Sequence, residues 1–155
     1  MKKSIFKLAL CLAFVGTLTS CWILYGPSGG GGPLGSNRVV TTPNYVVELL
    51  EVVGNRSAQE VRVVIMVTNR QANQNHVNVG GQCNGTEAID DQGRTSKPHS
   101  CSGVTVNLPT NVPVRVSIER FSPVFNTNRF RHLQINIGHQ EQNRAVFRNV
   151  PILWE

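Results

Sequence analysis

Glu60-Val-Arg-Val-Val-Ile-Met-Val-Thr-Asn69 is the stretch on which the reading of the fold turns. On an extended chain Val61, Val63, Ile65 and Val67 share one face, and Val64 and Met66 share the other. A strand that is apolar on both faces belongs in the middle of a sheet, covered on each side. The flanking sequence repeats the pattern in weaker form. Tyr45–Val53 is an apolar strand before it, and Val77 and Val79 open a short strand after it. Further on, Val104, Val106 and Leu108 alternate with polar residues, as do Val112, Val114, Val116 and Ile118. Pro109-Thr110-Asn111 supplies the turn between these two, and Pro113 has to sit at a strand start or an edge because it cannot donate a ladder hydrogen bond.

Leu133, Ile135 and Ile137 mark the next strand, and Arg144–Trp154 the last. Within that last strand the apolar positions change parity, from Ala145 and Phe147 to Val150, Ile152 and Trp154, which predicts a bulge near Arg148-Asn149. Strands separated by turns, with no helical period between them, predict an all-β fold. The expected architecture is an antiparallel immunoglobulin-like β-sandwich of seven to eight strands over residues 44–155.

The residues ahead of this domain read differently. Lys2, Lys3 and Lys7 precede an apolar run from Leu8 to Val15, too short for a permanent span and of the length of a signal-peptide core. Leu18-Thr19-Ser20-Cys21 then resembles the lipobox of bacterial lipoproteins. The resemblance implies removal of residues 1–20, a diacylglycerol thioether on Cys21 and attachment to a membrane through the N-terminal lipid. Cys11 is the poorer acceptor, because bulky Leu10 stands directly before it. Trp22 occupies the position where an Asp would favour inner-membrane retention, so the expected address is the outer membrane in the cell envelope. Residues 21–43 include Pro27-Ser-Gly-Gly-Gly-Gly-Pro-Leu-Gly-Ser36, which cannot bury enough apolar surface to offset its chain entropy and is expected to be a tether.

The domain's motifs also resemble those of secreted bacterial immunoglobulin-like domains. The resemblance rests on Val61-x-Val63-x-Ile65-x-Val67-Thr68-Asn69, on Asp90-Asp91-Gln92-Gly93, on Leu108-Pro-Thr-Asn-Val-Pro-Val114 and on Phe147-Arg-Asn-Val-Pro-Ile-Leu-Trp154. It implies architecture together with roles in adhesion, ligand presentation or envelope assembly.

The formal charge of +6 includes the three lysines of the leader. Without residues 1–20 the chain keeps twelve basic and nine acidic residues, and eleven of the twelve are Arg scattered along the sequence. That distribution suits solvated strand faces, and no nucleic-acid partner is expected. Export places Cys83 and Cys101 where disulfides form, so a Cys83–Cys101 bridge is expected, pinning a long polar loop from about Gln71 to Ser102. His76, Cys83, His99 and Cys101 are the alternative reading of the same loop, as a zinc-dependent enzyme, although His-x₆-Cys and His-x-Cys match no common zinc spacing.

Asp90, Asp91, Arg94 and His99 are the candidate binding residues displayed on that loop. No catalytic motif, cofactor or metal is implied. The expected function is therefore non-enzymatic: a lipid-anchored binding or structural domain with an envelope protein or glycan as partner. An inhibitor or immunity-type lipoprotein also suits the size.

Overall fold

The computed structural model describes residues 38–124 and 126–155. Leader, lipobox with Cys21 and most of the expected tether lie outside the described residues. The expected all-β antiparallel architecture is present, with eleven strands where seven to eight were expected. They are β1 (Val39–Thr41), β2 (Tyr45–Asn55), β3 (Glu60–Asn69), β4 (Gln74–Val79), β5 (Glu87–Asp90), β6 (Thr95–Pro98), β7 (Val104–Leu108), β8 (Pro113–Ser122), β9 (Arg129–Asn136), β10 (Arg144–Pro151) and β11 (Leu153–Trp154).

One layer runs β1-β2-β3-β8 and the other β5-β9-β10, and β6 joins them by pairing with both β8 and β5. β3 lies between β2 and β8, as its two apolar faces require. Val61, Val63, Ile65 and Val67 face the core, while Val64, also buried, sits in an outer row between Glu51 and Ser117. The opposite layer contributes Ala88, Phe130, Leu133, Ile135, Ala145, Phe147 and Val150 to the same core. All these strands and the core they enclose close within residues 38–155, which makes this segment a folding unit in its own right.

Long strands wrap this core by switching the face they bury. In β2 the buried positions pass from Leu49 to Val52, and the register against β3 shifts between Leu49 and Glu51. In β8 they pass from Ile118 to Phe121 across Arg120, a left-handed residue at φ 57°. The switch expected near Arg148-Asn149 is there, but without an inserted residue: Arg148 still opposes His132 and Val150 opposes Phe130. Asn149, at φ 54°, turns the chain instead, and β9 makes the matching switch between Phe130 and Leu133, so pairing survives the change of face.

Three further expectations need correction. The domain does not begin at Asn44: β1 pairs Val39–Thr41 with Val46–Glu48 of β2, and its half-buried Val40 packs on the core. The region from Gln71 to Ser102 is not one long loop, since it holds β4, β5 and β6. Their apolar content is low because β5 and β6 bury only alternate residues, among them Ala88, Asp90, Ser96 and Pro98. The last strand is not continuous either. After Pro151 and Ile152 the chain leaves β9 and crosses to the other layer, where Leu153 and Trp154 pair in parallel with Val53 and Gly54. The Trp154 ring lies over Gly54, where any side chain would collide with the indole, and its Nε1 donates to Thr127 O at 2.7 Å.

Candidate functional site

The expected bridge is present: Cys83 and Cys101 are bonded, with Cα atoms 4.8 Å apart. The backbone cooperates, since Gln82 N donates to Ser100 O at 2.9 Å and Cys83 N to Cys101 O at 3.0 Å. Gly103 takes φ 76° close to Val79 and Gly81, a place no side chain could occupy. With the sulfurs joined to each other, the set His76, Cys83, His99 and Cys101 offers no thiolate. Among the described residues no group of three His, Cys, Asp or Glu side chains is placed to hold a metal.

Asp90, Asp91, Arg94 and His99 do not converge. The first three belong to the β5–β6 turn, whereas His99 follows Pro98 at the opposite end of β6 and its N–H donates to Arg120 O at 3.1 Å. Asp90 is buried, 4 % exposed, and serves the turn itself. Its Oδ1 accepts from Gln92 N and Arg94 N, both at 2.9 Å, and its Oδ2 accepts Arg94 Nε at 2.7 Å. Gly93, at φ 81°, supplies the left-handed step of a three-residue hairpin. Burial works against ionising Asp90, but the hydrogen bonds and the charge from Arg94 outweigh it, and the carboxyl is held below its ordinary range. Asp91 accepts from Thr127 Oγ1 at 3.0 Å, tying the turn to the segment before β9.

A cleft of about 430 Å³ lies elsewhere, between the first half of β4 and the β9–β10 connection. Asn44 and Gln71 enter it from the β1–β2 and β3–β4 connections, Gln74 from the start of β4, and Gln140, Gln142 and Asn143 from the β9–β10 connection. A single chain of hydrogen bonds links them. Tyr45 Oη donates to Gln74 Oε1; Gln74 Nε2 donates to Gln71 Oε1 at 3.4 Å, and Gln71 Nε2 donates to Asn44 Oδ1. Asn44 Nδ2 then reaches Gln140 Oε1 at 3.5 Å, and the same oxygen accepts Gln142 Nε2 at 2.9 Å and Asn143 Nδ2 at 3.3 Å.

Burial, only partly offset by the bond to Gln74, raises the pKa of Tyr45, so its hydroxyl stays a donor. Among the described residues neither carboxylate nor Lys nor Arg lines this cleft. Asn143 is 2 % exposed, and its Oδ1 has no partner among the described residues. His139 flanks the opening, with its Nδ1 3.1 Å from Asn84 Oδ1, so the residue beside Cys83 supports the cleft wall.

Of these residues the sequence singles out His76 but not the amides. The signal available was the density of side-chain amides in two short tracts, Gln71-Ala-Asn-Gln-Asn-His76 and His139-Gln-Glu-Gln-Asn143. Trp154, half-buried against the core with its N–H bonded, forms no open platform; the Arg56 guanidinium lies 5.2 Å from its ring centre.

Two outcomes follow from this geometry. Replacing Cys83 and Cys101 together by Ser is expected to lower the unfolding free energy by about 3 kcal/mol. Hydrogen exchange should then accelerate at residues 80–90 and remain slow in β2, β3 and β8; uniform acceleration would contradict this division.

Asp90→Ala is expected to cost roughly 1–3 kcal/mol by leaving buried donors unpaired. Because the folded carboxyl titrates below its unfolded value, its contribution is complete above the ordinary Asp range, near about pH 4, and is lost as pH falls through the lower folded value. Urea unfolding across that window should therefore show a shallower acid loss in Asp90→Asn than in the wild type, and equal slopes would remove Asp90 from acid sensitivity. Comparison of the chain with protein-family models, with curated proteins and with solved structures gives no match.

Proposed function

We propose that this chain is a lipid-anchored, non-enzymatic binding domain of the bacterial cell envelope, and that the amide-lined cleft is its ligand site. The observation that carries the reading is the chain of side-chain amides running from Tyr45 to Asn143 across three connections. Each amide both donates and accepts, and the cleft holds no fixed charge, so its complement is an uncharged ligand dense in hydroxyl or amide groups. Val77 and the buried Tyr45 are the apolar side chains lining it, which leaves little to receive the side chains of a peptide. A neutral carbohydrate segment fits these constraints best.

Two facts support placing the site at a recognition end. The β3–β4 and β9–β10 connections meet there, at an end where sandwiches commonly carry binding loops. Their side chains are also held by one another, so little ordering remains to be done on binding. The lipid anchor is read from Leu18-Thr19-Ser20-Cys21 and the apolar run before it. The outer membrane is the proposed address.

Metabolic labelling with a fatty-acid analogue tests the anchor: label should be lost in Cys21→Ala and kept in Cys11→Ala, and label retained in Cys21→Ala would refute it. For the cleft, neutral hexose and N-acetylhexosamine oligomers added to the isotopically labelled domain should shift the amide resonances of Gln74, His76, His139 and Gln142. Gln140→Ala removes the oxygen on which three amides converge and should weaken such binding about tenfold or more while the domain stays folded. Absence of shifts with every oligomer, or shifts confined to the far end of the sandwich, would sink the assignment.

A further inference from the structure

Four of the eleven arginines scattered along the sequence gather on one surface of the fold. In β9 and β10, Leu133, Ile135, Ala145 and Phe147 point into the core, so their alternates point outward. Arg144 opposes Asn136, Val146 opposes Gln134 and Arg148 opposes His132 along that outer face. Beyond the change of parity, Phe130 and Val150 take the inward positions, which leaves Arg129 and Arg131 outward on the same side. All four arginines are exposed, and along β10 the face extends about 23 Å.

No carboxylate neutralises them. The ion pairs among the described residues are Arg62 and Arg115 with Glu51, and Arg94 with Asp90. Residues 1–37 contain neither Asp nor Glu. Glu87, opposite Gln134, is the acidic side chain in the outward rows formed by β5, β9 and β10. Charge is thus divided between the layers. The outer side of β2, β3 and β8 carries Glu48, Glu51, Glu60 and Glu119 with Arg62, Arg115 and Arg120, partly neutralised through Glu51. The outer side of β9–β10 is cationic and unpaired.

We propose that the outer face of β9–β10 docks the domain on anionic phospholipid headgroups. Three observations select a bilayer as the partner. Gln134 and Asn136 on this face are covered by Asn84 and Gly85, but the four arginines are exposed and none of them lines the cleft described above, so their complement is a surface rather than a strand laid in a groove. Guanidinium groups form paired hydrogen bonds with phosphate, and each adds to attraction toward an anionic leaflet. β1, the strand nearest in sequence to Cys21, also lies against β10. The third point rests on the lipid-anchor reading; the first two do not.

The test uses residues 38–155, the folding unit described above, so that no acyl chain contributes. It should float with phosphatidylcholine vesicles containing about 30 % phosphatidylglycerol and not with phosphatidylcholine alone. Raising salt to about 0.5 M, where the screening length is roughly 4 Å, should release it. Changing Arg129, Arg131, Arg144 and Arg148 together to Gln should reduce affinity for the anionic vesicles by about tenfold or more. Arg62→Gln with Arg115→Gln, on the opposite layer, should leave it unchanged.

Should the fourfold variant fail to fold, the salt release and the lipid dependence of the unaltered domain decide the matter. Equal flotation with both lipids, no flotation with either, or equal losses in the two variants would overturn the proposal. Tighter binding to a soluble sulfated polysaccharide than to the vesicles would reassign the face to a polymer, and salt-sensitive dimerisation through it would reassign it to a second copy. If Cys21 proves unacylated while the domain still floats with anionic vesicles, the anchor fails and this surface stands.

Discussion

The whole architecture depends on the double constraint on β3. It is hydrogen-bonded on both edges, by β2 and β8, and its inward Val61, Val63, Ile65 and Val67 admit one facing only. Shifting either neighbour by one residue would turn a row of valines and isoleucines to water, so register is fixed on both sides at once. The strands around it then have to bend to cover a core narrower than they are long. They do so by switching faces at Leu49–Val52, at Arg120 and at Asn149, and those switches decide which side chains are left pointing outward.

The strands that alternate strongly were legible in the sequence, because a period of two on a half-buried face leaves its trace in composition. β5 and β6 were not. They bury Ala88, Asp90, Ser96 and Pro98, small or polar residues that look like loop, and it is their partners β8 and β9 that make them strands. β1 escaped for a similar reason: three residues gain their meaning from pairing with β2, and nothing in Val-Val-Thr separates them from the segment before. The parity change at Asn149 was visible in the apolar positions, but its mechanism was not, since a left-handed residue and an inserted one leave the same trace in a sequence.

The candidate site shows the same limit in sharper form. Asp90 and Arg94 were singled out as charged residues near a glycine, which is also the signature of a tight turn, and the structure uses them for the turn. The amides of the cleft were overlooked because single Asn and Gln residues carry little chemical signal. Their meaning comes from Gln140, whose one oxygen collects donors separated by almost a hundred positions in the chain. The arginines of β9 and β10 behave likewise: dispersed in sequence, they are collected by cross-strand registry.

β11 gives the chain a particular relation to the order of its own synthesis. Its two residues follow every other strand of the domain, and they pair with β2, among the first strands of the domain, while Glu155 N donates to Gly54 O at 2.9 Å. No fragment growing from the N-terminal side therefore possesses the finished sheet, however much of the middle it already contains. A chain emerging from a ribosome or threading a pore must release Leu153 and Trp154 before β2 and β11 can be zipped together. Such end-to-end closure is slow, because it joins segments about a hundred residues apart, and until then the apolar faces of β2 and β3 remain open to whatever is nearby.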